Sequence, residues 1–170
     1  MLDGIVSATW YANPLSKRLI RLWKYRYARD AEQHIGSILT QWLQVTQQIP
    51  SGDWAIVPVP LHERRERERG FDQSLMLAHT ISMELGIHLK LDLVRRARHF
   101  QKPQAELDDS KRVARSFAGV FEVNTKITVP KQVLLVDDVY TTGKTMSAVA
   151  SELKSAGVEV VWGITFARGN

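Results

Sequence analysis

The chain has 170 residues, of which 44% are hydrophobic and 24% charged, and it contains no cysteine. This length suits one compact domain, and the composition excludes disordered, collagen-like and rod-like chains. Without cysteine there is no disulfide and no thiolate metal site, and the five histidines do not pair at metal-ligand spacing. The N-terminus lacks a signal-peptide pattern and no apolar run is long enough to span a bilayer, so we expect a cytoplasmic protein without membrane contact.

The positive charge is concentrated in two segments. Lysine plus arginine total 23 against 18 acidic residues, a net charge of +5. Residues 1–30 carry six basic side chains against two acidic, and residues 95–115 carry seven against three. This balance favours an anionic partner, but it does not choose between nucleic acid and a phosphorylated small molecule.

The N-terminal third predicts two helices. Apolar residues at helical spacing after Pro14 indicate a short helix with a basic face, and Asp30 with Gln33 resembles a capping box that opens a second helix. The predicted apolar stripes are Leu15, Leu19, Leu22 and Trp23 in the first helix, and Ile35, Ile38, Leu39, Trp42 and Leu43 in the second. We therefore expect a small N-terminal helical segment, residues 1–52, beside a core of residues 53–170 within one compact unit.

The middle of the chain predicts a strand, a charged loop and a helix. A β-branched run from Trp54 ends in prolines, which suits a strand running into a stiff loop. The sequence HERRERERGF is predicted to be a loop, and residues 72–85 a helix that Gly86 ends. Residues 91–94 and 117–123 are candidate strands around the basic stretch, which we predict to be a functional loop.

The last third predicts a parallel sheet. Residues 133–136 read as a continuous apolar strand, followed by DDVYTTGKT, a helix through Met146 and Leu153, and a strand at 158–166. Strand, helix and strand in this order indicate a right-handed βαβ unit. The predicted fold class is therefore α/β, with a parallel sheet flanked by helices.

The segment after the apolar strand predicts a sugar-phosphate site. Asp137 and Asp138 lie where open α/β sheets bind ligands, and the small and hydroxyl residues that follow let backbone N–H groups close on a phosphate at a helix N-terminus. A nucleoside-triphosphate loop is a poor match, because Asp138 stands where that pattern needs glycine. Carboxylates accept hydrogen bonds from vicinal hydroxyls, as a ribose would offer.

The segment VLLVDDVYTTGKT resembles the signature of the type I phosphoribosyltransferases, which bind phosphoribosyl pyrophosphate with magnesium. A second stretch, VPVPLHERRERERGFDQSLMLA at 57–78, together with LWKYRY at 22–27 and QAEL ahead of Arg112, resembles the ComF family of natural competence and its GntX-type relatives. The resemblance implies a type I phosphoribosyltransferase-like fold with residues 1–52 as a small hood. The chain departs from the family in lacking a four-cysteine zinc module and in reading RGFDQ for RGFNQ.

The resemblance also implies roles for individual residues. It implies that Asp137 and Asp138 are the catalytic residues, which hold the ribose hydroxyls. It implies that the 5′-phosphate is bound by Thr141, Thr142, Gly143, Lys144 and Thr145.

The charged stretch would face pyrophosphate through Arg64, Arg65, Arg67 and Arg69, although its glutamates would equally suit a solvated run. The basic stretch would be the flexible loop, with candidates Lys102, Gln104 and Arg112, or else an exposed loop without a ligand. Lys24 and Tyr25 fall where such enzymes carry the hood over the acceptor, and they would equally suit the end of a surface helix.

Two functions remain open from the sequence. The first is a phosphoribosyltransferase-like protein of DNA uptake that binds phosphoribosyl pyrophosphate and magnesium, with an acceptor that the sequence does not identify. Magnesium would be held by the ligand's own oxygens and water, and no protein metal ligand is expected. The second is a competence protein without turnover that binds single-stranded DNA or a helicase partner, since Trp23, Tyr25 and Tyr27 alternate with basic residues. For Trp23 itself, core packing is the favoured interpretation.

Overall fold

The computed structural model describes residues 1–24, 29–97 and 119–169, with residues 29–33 described by backbone alone. The helices are α1 (Pro14–Lys24), α2 (Arg29–Thr46), α3 (Glu63–Arg69), α4 (Gln73–Leu85) and α5 (Lys144–Ser155). The strands are β1 (Gly4–Trp10), β2 (Trp54–Pro58), β3 (His88–Leu89), β4 (Val94–Arg96), β5 (Phe121–Val123), β6 (Gln132–Tyr140) and β7 (Val160–Arg168). No helix in these ranges is long and apolar enough to cross a membrane.

A parallel sheet forms the centre of the molecule. Its five strands lie in the order β1-β7-β6-β2-β3, and β4 and β5 form a separate antiparallel ribbon. The strand β6 lies in the middle because residues 133–136 are apolar and fully buried. Because β6 and β7 are parallel neighbours joined by α5, the predicted α/β class and its parallel sheet are confirmed.

Each face of the sheet carries its own hydrophobic core. Side chains of a parallel strand alternate between the two faces, so both faces of β6 need cover. Helices α1, α2 and α4 cover one face, where Trp23, Leu134 and Ile164 pack together. Helix α5 and the β4–β5 ribbon cover the other, around Leu135 and Val149. The sheet therefore lies between a layer of three helices and a layer made of α5 and the β4–β5 ribbon, with the carboxyl ends of its strands at one edge.

The N-terminal segment is more than a pair of helices. Residues 4–10, which carried no strand prediction, form the edge strand β1 beside β7, so the segment 1–52 contributes a strand to the core sheet. The predicted apolar stripe of α1 is partly wrong: Leu15 and Leu22 are exposed, and the buried residues are Ser16, Ile20 and Trp23. Ser16 is accepted in the core because its hydroxyl lies 2.8 Å from that of Thr9.

In α2 the buried stripe is Ile35, Leu39 and Leu43, whereas Ile38 is exposed. This helix already includes Arg29, so the expected start at Asp30 lies inside it. The predicted helix over 72–85 is confirmed as α4, with Asp72 as its N-cap and Gly86 as its C-cap. The candidate strand at 91–94 begins only at Val94, and residues 117 and 118 of the other candidate lie outside the described residues.

The charged stretch after β2 is a helix, which corrects the predicted loop. The ring nitrogen Nδ1 of His62 accepts the Arg64 N–H at the start of α3, and Gly70 ends it in the left-handed conformation with φ 81°. One turn along, Arg64 pairs with Glu68 at 2.8 Å. None of the residues of α3 is buried, so apolar periodicity does not reveal it. Its caps and charge pairs stabilise it instead.

Candidate functional site

Two neighbouring carboxylates lie at the carboxyl end of β6. This strand continues past its apolar stretch to Tyr140, so Asp137 and Asp138 are strand residues. Asp137 is in register with Thr165 of β7, and Asp138 is only 9% exposed. The central position of β6 therefore carries the predicted acid pair to the edge where open parallel sheets bind ligands.

Asp137 is held by hydrogen bonds from two directions. Its Oδ1 accepts the Ser74 hydroxyl at 2.8 Å and the Asp138 backbone N–H at 2.8 Å. Burial and the charge of Asp138 raise the pKa of Asp137 to about 7, against the opposing effect of both hydrogen bonds and of Lys24. Ser74 is the second residue of α4, so this helix positions the carboxylate.

Asp138 forms an ion pair with the end of α1. The Lys24 ammonium Nζ lies 2.7 Å from Asp138 Oδ2, and the two side chains are 26% and 12% exposed. Lys24 is the last residue of α1, so the structure places this member of the expected hood directly against the acid pair. Tyr25, the other expected hood residue, lies outside the described residues.

The turn after β6 leads from the acid pair into the N-terminus of α5. Thr141, Thr142 and Lys144 are exposed, and Thr145 is partly buried. Gly143 adopts φ 69°, and a Cβ there would collide with the Tyr140 ring, so glycine is required by conformation and by space. No side chain caps α5, so N–H groups of its first turn point out of the helix without an internal partner. The predicted phosphate residues are thus brought together beside the acid pair.

The structure separates the four arginines predicted to face pyrophosphate. Arg64, Arg65 and Arg67 lie on exposed positions of α3. Arg69 is partly buried, and its Nη1 donates to Gln73 Oε1 at 2.7 Å. Because Gln73 is buried and precedes Ser74 in the chain, Arg69 is the member of the four that is linked through α4 to the acid pair.

The three flexible-loop candidates, Lys102, Gln104 and Arg112, lie outside the described residues.

A cleft of about 680 Å³ is found between the first residues of α3 and α4 and the β4–β5 ribbon. Arg96 lines this cleft, and its guanidinium lies 5.1 Å from the centre of the Phe121 ring. The pKa of Arg96 is lowered, mainly by burial and to a lesser extent by the charge of Arg65. The acid pair does not line this cleft.

Sequence reasoning missed an aromatic and cationic pair at the same edge of the sheet. The guanidinium of Arg168 lies 4.8 Å from the centre of the Trp10 ring, and Trp10 is 52% exposed. Strand pairing places Arg168 between Trp10 of β1 and Tyr140 of β6. This pair could have been predicted from the sequence only if β1 had been predicted as a strand that lies parallel to β7.

Comparison with known families defines the class of protein. Residues 72–170 match the model of the phosphoribosyl transferase domain, which is more than half of the chain. This span contains the acid pair, the turn and α5. The chain therefore belongs to the phosphoribosyl transferase domain family.

Within that class the similar curated proteins are competence and DNA utilization proteins. The chain is 33% identical over 112 residues to competence protein F of Haemophilus influenzae, covering 65% of this chain and 49% of that protein. It is 30% identical over 109 residues to competence protein ComFC of Streptococcus pneumoniae, covering 64% and 46%. It is 28% identical over 166 residues to DNA utilization protein YhgH of Escherichia coli, covering 92% and 68%. The chain spans about half the length of the competence proteins it matches.

Solved structures confirm the fold. An allosteric regulatory enzyme of purine biosynthesis superposes with a TM-score of 0.54 at 16% identity, covering 85% of this chain and 29% of that one. Glutamine phosphoribosylpyrophosphate amidotransferase of B. subtilis gives 0.51 at 18% identity, covering 84% and 30%. The expected type I phosphoribosyltransferase-like architecture is therefore confirmed.

Proposed function

We propose that this chain is a phosphoribosyltransferase-like domain that binds phosphoribosyl pyrophosphate with magnesium at the carboxyl end of β6, in a protein that supports DNA uptake. The observation that carries the proposal is the acid pair lying directly before a glycine turn and an uncapped helix N-terminus. The names of the competence relatives support the link to DNA uptake.

Each part of this site suits one part of that ligand. Asp137 and Asp138 accept hydrogen bonds from the two ribose hydroxyls, and the first-turn N–H groups of α5 hold the 5′-phosphate with the positive end of the helix dipole. Arg69 is the cation that α4 links to the acid pair, so among the four arginines it is the one that we assign to binding of the pyrophosphate group. If pyrophosphate leaves C1′, these groups act by positioning and by electrostatic stabilisation.

Magnesium suits this site as an ion that the ligand carries. Among the described residues, no group of three or more histidine, cysteine, aspartate or glutamate side chains is placed to hold a metal. Magnesium keeps several waters and commonly binds to substrate phosphates rather than to an all-protein cage. When bound, it would neutralise charge on the pyrophosphate while the protein holds the ribose phosphate.

A thermal-shift titration with phosphoribosyl pyrophosphate and magnesium tests the proposal. At about 100 times the dissociation constant, the ligand stabilises the folded state by roughly 2.7 kcal/mol, which corresponds to a shift of roughly 5 to 11 °C for a chain of this size. The shift is expected to disappear in the double variant Asp137→Asn, Asp138→Asn. The matched control is Asp53→Asn, which removes an exposed carboxylate before β2. A wild-type protein that gives no shift refutes the proposal.

A second candidate function, binding of single-stranded nucleic acid, has one observation in its favour. Trp10 is half exposed beside a guanidinium, and it lies just before α1, whose Lys17, Arg18 and Arg21 are exposed. Stacking aromatics next to a positive surface are typical of single-strand binding. Trp23 is fully buried, which confirms its expected packing in the core, so it is not part of such a surface.

Salt dependence and substitution test this candidate. Binding of a fluorescent oligonucleotide to the wild type is expected to weaken steeply as salt rises, because phosphate contacts release counterions. Trp10→Ala is expected to weaken binding at every salt concentration, whereas Arg21→Ala is expected to reduce the slope. Affinity that is independent of salt in the wild type excludes a surface of this kind.

A further inference from the structure

The ion pair between Lys24 and Asp138 joins two distant parts of the chain at the candidate site. The ammonium lies 2.7 Å from one carboxylate oxygen, while the neighbouring Asp137 accepts two hydrogen bonds on its Oδ1. The two carboxyl groups are adjacent in sequence and partly or fully buried, so they repel each other when both are ionised. The two members of the acid pair therefore have different partners.

We propose that Lys24 is a positioning residue of the acid pair: its ammonium fixes Asp138 as the anionic member and leaves the proton that the pair shares on Asp137. This inference rests on the proposed function in so far as the pair receives ribose hydroxyls. It adds a role for the N-terminal helix, which provides the counter-ion for a carboxylate on the central strand.

The contacts decide which oxygen carries that proton. Asp137 Oδ1 already accepts from the Ser74 hydroxyl and from a backbone N–H, so a proton bound by this carboxyl would lie on Oδ2. Asp138 has a cation in contact, since the Lys24 ammonium lies 2.7 Å from its Oδ2. At neutral pH the pair therefore offers one anionic acceptor and one carboxyl group that changes its proton occupancy.

Within the part of the chain that the structure describes, two charged groups act on Asp137. Asp138 on the same strand raises its pKa, and Lys24 of α1 lowers it. From α4 comes the neutral Ser74 hydroxyl, and from β7 the in-register Thr165, whose hydroxyl lies 2.7 Å from that of Ser7. Because Lys24 is the cation in this set, its replacement by a neutral residue raises the pH at which the second proton leaves the pair.

The direct test is a pH titration of the carboxyl groups by NMR with ¹³C-labelled aspartate, which needs no ligand. Signals are assigned with Asp137→Asn and Asp138→Asn. In Lys24→Met the upper midpoint is expected to rise by about one pH unit, while Lys24→Arg, which keeps the charge, stays at the wild-type midpoint. Lys126→Met, which removes an exposed lysine before β6, is the control for lost charge. An unchanged midpoint in Lys24→Met overturns the proposal.

Lys24→Gln provides a second neutral variant should the methionine variant fail to fold, and the same shift is expected in it. A ligand measurement then separates this proposal from the proposed function. The affinity of Lys24→Met for phosphoribosyl pyrophosphate with magnesium is expected to be about fivefold below the wild type near pH 7, because less of the pair is fully ionised, with the gap narrowing toward pH 9. A loss of equal size at every pH contradicts a proton-positioning role. A wild type that binds no ligand refutes the proposed function, while the carboxyl titration still decides the role of Lys24.

Discussion

Replacement of Asp137 by asparagine is expected to stabilise the protein at neutral and alkaline pH. The pKa of this carboxyl is raised from 3.8 to about 7, first by burial and then by the charge of Asp138. Between these two values the folded protein binds a proton that the unfolded chain has released. The free energy of unfolding therefore falls as the pH rises from about 4 to about 7, and this contribution is constant above that range.

The size of the effect follows from the shift in pKa. One pH unit corresponds to about 1.4 kcal/mol, so a shift of about three units costs the wild type roughly 4 kcal/mol of stability at pH 8. Asparagine keeps the shape and an oxygen that accepts the Ser74 hydroxyl, but it carries no charge. The variant is expected to match the wild type at pH 4 and to exceed it by up to this amount at pH 8.

Urea denaturation at pH 4, 5, 6, 7 and 8 measures the difference. Asp53→Asn is the control for removing one exposed negative charge. A difference between Asp137→Asn and wild type that is the same at pH 5 and pH 8 refutes the reasoning. A confirmed difference would mean that the acid pair is maintained at a cost in stability, as expected of a functional site rather than of a structural one.

Three further predictions follow from single contacts. Gly143→Ala is expected to destabilise the fold by more than Gly157→Ala, since both positions have positive φ but only the first also meets a tyrosine ring; urea denaturation gives both values, and equal losses would contradict the collision. Ser74→Ala is expected to raise the pKa of Asp137 further, because the lost hydrogen bond favours the ionised carboxylate; NMR titration would show it, and a fall in that pKa would exclude this role. The pKa of Asp3 is lowered first by its contact with Lys154 and second by a backbone N–H, so Asp3→Asn is expected to lose less stability than the wild type on acidification to pH 3. Thermal unfolding measured from pH 7 to pH 3 checks this, and an equal loss of stability in the two proteins would contradict it.

The sequence by itself determined the strand, turn, helix and strand of the last third of the chain, which contain the candidate site. An unbroken apolar run must be buried on both faces, and a parallel strand, a glycine turn and an amphipathic helix follow one another within a short stretch of chain. Local patterns of this kind predict the folded elements correctly because each element is specified by its own residues. The acid pair and the glycine turn were therefore predicted by residue number, and residues 133–136 lie in the central strand.

Elements with weak local signals were not predicted. The edge strand β1 has one buried residue, Val6, so its pairing with β7 specifies it more than its composition does. The helix α3 has no buried residue, and its caps and ion pairs give no apolar period. On α1 the buried residues are those of the stripe that meets the sheet, and the spacing of the leucines alone does not decide which stripe that is.

Tertiary structure alone decided how the candidate site is completed. The partners of the acid pair, Lys24 and Ser74, lie on helices that are remote in sequence from β6, and Arg168 meets Trp10 across a strand pair that links the two ends of the chain. Such contacts arise when packing brings separate elements to one sheet edge. The amino-acid pattern thus determines which groups can do chemistry, whereas long-range packing determines their charge state and their orientation, because burial and neighbouring charges exist only in the folded protein.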